Sequence, residues 1–320
     1  MGAIVDKWLN GETEDFGKKV LHGAHNLLTD SDTGHLFSHD ALAELIDTID
    51  DSQLDIVTMG YGKHEPNSWV GGHRGKLSGK ELMDAVREGR LWVNLRHAMN
   101  TEDEYIKVQN KMFDHLSEMI PGFKPYSVYG SILISSPNAK VYYHADPGEV
   151  ILWHISGEKR VSCYPNKAPF LDDETYEGLI LSENSEELPY EEWFDDHAAF
   201  IDLKPGEFVS WPHSSPHKVD NGNSLNVSIT TEFTTLASQM RHGARYANGM
   251  LRRRFNANPS FDKMGTVHTM AKFAASLPMR AMKVKTGNEQ VHKDHFVVDR
   301  GSENCLNWFE EPIPRSERVL

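Results

Sequence analysis

Cysteine is almost missing from this chain: Cys163 and Cys305 are the only two in 320 residues, which excludes a disulfide framework and a cysteine-based zinc site. Any metal held here must rest on histidine and carboxylate. Long apolar runs are missing too. No stretch approaches the roughly 18 residues of a membrane-spanning helix, and the start MGAIVDKWLNGETEDF has no basic segment followed by an apolar one. Gly2 invites myristoylation, but Asp6 stands where the acceptor motif needs Ser or Thr. These features predict a cytoplasmic protein without a membrane partner. Positive charge is in short supply: 33 Lys and Arg face 47 Asp and Glu, for a net charge of -14. That argues against nucleic acid as a partner, because phosphate binding depends on a positive field. What remains is a globular composition, 39% hydrophobic and 10% aromatic, sufficient for one large domain with appendages or for two domains.

Along the chain, three regions are expected: a helical region with a few strands over 1–125, a β-rich core over 126–235, and a basic helical region with an irregular tail over 236–320. In the first, Phe16, Val20, Leu21, Ala24 and Leu27 recur at helical spacing, as do Leu42, Leu45, Ile46 and Ile49 behind a Ser38 cap. Ser78-x-x-Glu81 and Thr101-x-x-Glu104 read as capping boxes, and LDIVTMGY (54–61) and LWVNL (91–95) as strands. From Tyr126 the runs YSVYGSILIS, AKVYYHAD, VILWHIS, KRVSCYP, AAFIDL, EFVSWP and SLNVSITTEF follow one another without helices between them. About seven or eight successive strands fit a closed or double-sheet architecture such as a jelly roll. Charge is divided as well. Residues 171–196 hold eleven Asp or Glu and no Lys or Arg, whereas 236–285 hold ten Lys or Arg and one acid, Asp262. The acidic stretch is expected either to attract a cationic substrate or to dock the basic segment, in the same or a partner subunit. The C-terminal helices are candidates for a homodimer contact.

Two histidines and a carboxylate stand out inside the β-rich run. His144-x-Asp146 follows one strand, and His217 ends a Pro-x4-His that begins at Pro212. Two imidazoles and one carboxylate can cap one face of an octahedral Fe(II), leaving adjacent positions for a chelating co-substrate and O2. The triplet alone says little, since about two His-x-acid triplets are expected by chance in such a composition, and His292-x-Asp294 is a second one outside the β-run. His213 competes with His217, but His217 immediately precedes a short strand. Lys159, after the Ser-Gly-Glu turn at 156–158, adds a fixed cation of the kind that anchors the far end of a dicarboxylate. Strand alternation lets only one of Lys159 and Arg160 face inward, and Lys159 is the candidate. His154, Trp153 and Trp211 read as packing residues.

Together, HADPGEVILWHISGEKRVSCYP and KPGEFVSWPHSSPHKVDN resemble the Jumonji-C or cupin-like Fe(II)- and 2-oxoglutarate-dependent dioxygenases, nearest in pattern to the asparaginyl-hydroxylase branch. The resemblance covers residues 126–233. It implies a double-stranded β-helix holding iron through His144, Asp146 and His217, with 2-oxoglutarate and O2 as co-substrates. The far carboxylate of 2-oxoglutarate would pair with Lys159, assisted by a hydroxyl from Tyr126, Tyr129 or Ser131, and Thr230 is the nearest counterpart of a last-strand Asn. The family's Thr three residues before the first ligand is Val141 here, and its Asn six residues after that ligand is Val150. The implied reaction is hydroxylation of a protein side chain or an amino-acid-like small molecule, with release of succinate and CO2. Two other readings stay open: a cupin-type sensor that binds without turnover, and a cupin enzyme that does not use 2-oxoglutarate.

Overall fold

A computed structural model describes residues 3–59, 69–261, 264–282 and 292–315. The N-terminal part places β1 (Val5–Trp8), β2 (Leu21–His25), α1 (His39–Thr48), β3 (Leu54–Met59), β4 (Trp69–His73), α2 (Gly79–Glu88), β5 (Trp92–Leu95) and α3 (Asp103–Met119). The helix expected around residues 16–27 is instead strand β2. Its burial alternates with period two, and the inward positions after Leu21 are Gly23 and His25, so the strand period leaves no apolar trace in the sequence. A Cβ at Gly23 would lie 2.3 Å from the Phe208 ring, so this sheet needs glycine there. Ser38 caps α1 as expected, and the Ser78 to Glu81 capping box is formed. The Thr101 box is not. The Thr101 hydroxyl turns back to the Ala98 carbonyl, and α3 starts after Glu102 without a side-chain cap. Of the segment LDIVTMGY, residues 60 and 61 lie outside the described residues.

Then come β6 (Tyr126–Ser135), β7 (Lys140–His144), β8 (Glu149–Ser156), β9 (Lys159–Cys163), α4 (Asp173–Ile180), β10 (Ala199–Leu203), β11 (Glu207–Ser210), β12 (His217–Asn221) and β13 (Asn226–Thr234). They form two facing sheets. One contains the order β11-β8-β13-β6, and the other is β10-β9-β12-β7, all antiparallel. The chain thus winds between two sheets of four, which is the double-stranded β-helix, or jelly roll. The first sheet is extended by β2 and β1 on one edge and by β5, β3, β4, β14 (Lys293–Val298) and β15 (Leu306–Pro314) on the other.

Strand alternation sorts the core into two layers. Ile132, Ile134, Ile151, Trp153 and Ile229 face outward onto α1, α2 and α3, while Val150, Leu152, Val161, Cys163, Val209 and Val219 fill the space between the sheets. Beyond β13 lie α5 (Leu236–Phe255) and α6 (Thr266–Ala281), packed on each other. The expected helical run to about residue 284 ends, in its described part, at Ala281, and residues 283–291 lie outside the described residues. The tail is not irregular: β14 (Lys293–Val298) and β15 (Leu306–Pro314) pair as a hairpin and join the large sheet through a parallel contact of β14 with β4. That pairing is made with residues more than 200 positions away, which no local pattern announces. Among the described residues no helix is long and apolar enough to cross a membrane.

Candidate metal centre

Two backbone irregularities bring the three expected ligands together. In the pairing of β7 with β12, His217 lies opposite His144 and Val219 opposite Val141, so Tyr142 and Tyr143 together oppose Lys218 alone. This β-bulge shifts the side-chain phase. Val141 packs with the inter-sheet core and Tyr143 with an aromatic cluster outside it, and His144 turns inward three residues after Val141. Regular alternation would have sent Tyr143 inward instead. The second irregularity is the loop after β11. Pro212 closes a turn with Ser215, Ser214 adopts a left-handed backbone (φ 66°), and the chain re-enters as β12 with His217 at its first position.

The resulting geometry suits a cation. His144 Nε2 lies 3.8 Å from one Asp146 oxygen and His217 Nε2 3.4 Å from the other. One ligand atom from each residue lies within 4.8 Å of the others, the only such group found among the described residues. His144 Nδ1 is 2.8 Å from the Tyr142 carbonyl and His217 Nδ1 3.1 Å from the Ser215 carbonyl. A carbonyl only accepts, so Nδ1 carries a proton in both rings, and both Nε2 atoms are directed at the carboxylate. Burial, reinforced by His144, holds His217 well below the usual imidazole range and keeps it neutral. Burial pushes the Asp146 carboxyl up, opposed by His144. Two imidazoles and a carboxylate whose ligand atoms converge in this way are the donor set of a metal site.

The other expected residues fall in distinct places. His213 directs Nε2 to the Pro147 carbonyl, 3.0 Å away, and receives Arg241 at Nδ1, so it buttresses the Asp146 loop from behind. His292-x-Asp294 has no ligand role, since Asp294 is buried in an ion pair with Arg315. Lys159 faces the barrel interior at 6% exposure and donates to Ser228 Oγ at 2.9 Å. Arg160 points outward into a two-pronged pair with Asp202. Among the described residues no carboxylate pairs with Lys159, and burial alone pulls its ammonium down to about 7. Ser131 and Thr230 are cross-strand partners, and Ser131 Oγ accepts the His97 amide. Tyr129 is not turned to Lys159. It is 45% exposed, stacked on His97, and lies opposite Glu232, four residues along β13 from the Ser228 that Lys159 touches.

The acidic stretch docks on the basic helix of the same chain. Arg245 pairs with Asp173, Arg252 with the fully buried Glu177, and Arg253 with Glu183, at 2.8 to 3.0 Å. Held this way, its later part runs beside β7: the Ala145 amide donates to the Glu186 carbonyl and the Leu188 amide to the Tyr143 carbonyl. Sequence reading missed the residue this docking delivers, Tyr176. Its buried hydroxyl donates to the Asp146 carbonyl at 2.9 Å and accepts from Ser214 Oγ at 2.9 Å, tying the two ligand-bearing loops together. Only its place in the acidic stretch, 30 residues from Asp146, could have drawn attention to it. Residues that orient ligands are worth about ten- to a hundredfold in metal affinity. Tyr176→Phe is therefore expected to weaken Co(II) binding, followed by its visible absorption, by about tenfold, with the fold intact by circular dichroism.

No family model and no curated protein matches this chain. Among solved structures, YcfD of Escherichia coli is similar at 16% identity over 88% of this chain and 70% of its own, with a TM-score of 0.48. YcfD, described as a ribosomal oxygenase from Escherichia coli in complex with cobalt and 2-oxoglutarate, aligns at 16% identity over 84% of this chain and 65% of its own, with a TM-score of 0.45. A cupin domain from Bordetella pertussis aligns at 10% identity over 36% of this chain and 88% of its own, with a TM-score of 0.23. This chain thus spans about two thirds of the ribosomal oxygenase structures it is similar to. The jelly roll is read from its strand order, and the site from its own residues.

Proposed function

We propose that this chain is an Fe(II)- and 2-oxoglutarate-dependent oxygenase that hydroxylates a cationic substrate, either a basic protein side chain or an amine-bearing small molecule. The observation that carries the reading is Lys159, a buried ammonium with no carboxylate partner among the described residues, in the same barrel interior as the His144, Asp146 and His217 group. An unpaired buried cation is costly and calls for an anion. On the β9 to β12 ladder, Lys159 lies opposite Asn221 and Cys163 opposite His217, so the two positions are four residues, or about 13 Å, apart along the strands. A dicarboxylate that chelates a metal at one end and meets an ammonium at the other fits these donors. When bound, iron with 2-oxoglutarate and O2 supplies oxidation of a C–H bond, with succinate and CO2 released. The protein's part is positional. His144, Asp146 and His217 would hold the metal, Lys159 would fix the co-substrate, and the apolar inter-sheet core keeps bulk water out.

The cationic substrate is argued from the mouth of the barrel. Glu232 lies in phase with Ser228 and Thr230 on the inward face of β13; its side chain is exposed, but the protein packed around it and then Asp146 push its carboxyl up towards about 7, a shift that its exposure to solvent tempers. Glu186, beside β7, is pushed up to about 8 by burial and by Asp146 and Glu232. Neither carboxylate has a hydrogen-bond or ion-pair partner among the described residues, and a positive substrate group would relieve both. This favours a cation over the amide that an asparaginyl hydroxylase takes, so that branch rests on the shared motifs alone. Protein loaded with Fe(II) without air and then aerated should convert 2-oxoglutarate to succinate, detected by proton NMR. A panel of arginine- and lysine-bearing peptides and free amines should accelerate it, and Glu232→Gln should remove most of that acceleration while leaving the uncoupled rate. Tight 2-oxoglutarate binding with no succinate under any panel member would instead mark a sensor, and failure to bind 2-oxoglutarate would end the proposal.

A further inference from the structure

We propose that His154 is a positioning residue for Lys159, acting through Ser228 and through the turn at Gly157; the inference rests on the 2-oxoglutarate reading above. His154 is fully buried on β8, directly opposite Ser228 of β13. Its Nε2 lies 3.0 Å from the Gly157 carbonyl and its Nδ1 3.1 Å from Ser228 Oγ. Because the carbonyl can only accept, Nε2 carries the proton and Nδ1 is the bare acceptor. Ser228 must then donate its hydroxyl proton to His154, which turns an oxygen lone pair towards Lys159 Nζ, 2.9 Å away. The ammonium donates to that lone pair with one N–H, and its other two are left for the barrel interior. One ring thereby sets the donor direction of the lysine two bonds away in the network.

The same ring fixes the backbone that carries the lysine. Gly157 has φ +89°, and a Cβ there would come within 2.7 Å of the Leu225 carbonyl and of Asn226, so the turn between β8 and β9 is held in one conformation whose carbonyl faces His154. Lys159 is two residues further on. Behind the strand, the His154 carbonyl accepts from the Gly206 amide and from His25 Nε2, each at 3.0 Å, which holds the position of the ring's own backbone. Burial, with Lys159 beside it, lowers His154 to about 3, so the ring stays a neutral acceptor at any working pH. A histidine placed only for packing would need neither partner. Here both ring nitrogens are used, and both lead to Lys159.

The test separates the far-carboxylate end of the co-substrate from the chelating end, in Zn(II)-loaded protein where no turnover occurs. Calorimetric titration with 2-oxoglutarate is compared with 2-oxobutyrate, which keeps the 2-oxo acid group and lacks the second carboxylate. His154→Phe and Ser228→Ala are expected to weaken 2-oxoglutarate by about tenfold or more, the size of a hydrogen bond to a charged group, and to leave 2-oxobutyrate unchanged. His154→Asn, which retains a polar group on the Ser228 side, should recover part of the loss. Unchanged 2-oxoglutarate affinity in both His154→Phe and Ser228→Ala, or equal weakening of the two ligands, would overturn the assignment. If the wild-type protein binds 2-oxobutyrate and 2-oxoglutarate equally, Lys159 does not anchor the co-substrate and the parent reading fails first. Ser228→Ala keeps the test open should His154→Phe not fold.

Discussion

Replacing Lys159 with methionine is expected to make the protein more stable and unable to hold 2-oxoglutarate. The two effects share one cause. Lys159 is buried at 6% exposure with Ser228 Oγ as its hydrogen-bond acceptor, and burial lowers its ammonium to about 7. In the unfolded chain a lysine titrates near 10.4, so the unfolded state binds the proton more tightly than the folded state. Between those values the folded state loses stability as pH falls, and below about 7 the loss is complete and constant. A methionine of similar length has no proton to lose. The gain in melting temperature for Lys159→Met should therefore be largest below pH 7, shrink as pH rises, and vanish near the lysine's unfolded value. A melting temperature that drops at pH 6 would show that the ammonium is compensated by a partner.

The same titration governs the co-substrate. The groups around Lys159 are Ser228 from β13, His154 from β8, and its strand neighbours Asn221 and Leu203, and of these only His154 titrates, near 3. The carboxylate binds the charged lysine, whose fraction falls from about nine tenths at pH 6 to about one tenth at pH 8, so the apparent affinity should drop about tenfold across that interval. Glu232 and Glu186, raised to about 7 and about 8 beside Asp146, titrate in the same interval at the metal-bound end; 2-oxobutyrate shares that end, so the ratio of the two affinities isolates the step of the lysine. Lys159→Met should lose that step together with the affinity. Lys159→Arg should restore little, because a forked guanidinium does not fit where a compact ammonium is held by one serine.

The jelly roll was legible because its strands are short, apolar and separated by turn residues: seven runs between Tyr126 and Thr234 matched observed strands within a few residues. Alternation lets only one of Lys159 and Arg160 face inward without saying which, and the structure turns Lys159 in and Arg160 out. Legibility ended where long-range contacts override local pattern. Strand β2 hides its period because Gly23 and His25 take the inward positions, and β15 is a strand because it pairs with β14, itself paired with β4. Tyr129 was drawn towards Lys159 by its hydroxyl, yet sheet register carries it to the other end of β13, opposite Glu232. The role of Tyr176 depends on salt bridges from α5 that dock the acidic stretch, a fact about folded geometry that no spacing encodes. The bulge at Tyr142 and Tyr143 is of the same kind. Perfect alternation from Val141 would have turned His144 outward, so the strand carrying the first ligand breaks the rule used to find it.

That bulge makes the metal centre sensitive in a way that distinguishes ligands from neighbours. Asp146→Asn removes the only carboxylate from a group whose two imidazoles are already committed by their Nδ1 hydrogen bonds, so no rotation can bring in a substitute donor. Loss of at least a hundredfold in Mn(II) affinity is expected, since a hard divalent ion depends on an anionic oxygen more than on imidazole. His217→Ala should be as severe, because it also empties the position facing Trp211, 4.3 Å away ring to ring. His213→Ala is the control: it sits four residues from His217 and could be mistaken for a ligand, but its Nε2 is spent on Pro147. Its loss should leave Mn(II) affinity within about tenfold, the lower range for groups outside the ligand set. Thermal melts supply a second readout, since saturating metal raises the melting temperature only of forms that bind it. Wild type and His213→Ala should shift upward with added Mn(II), whereas Asp146→Asn and His217→Ala should not. A large shift retained in Asp146→Asn would place the cation elsewhere in the chain.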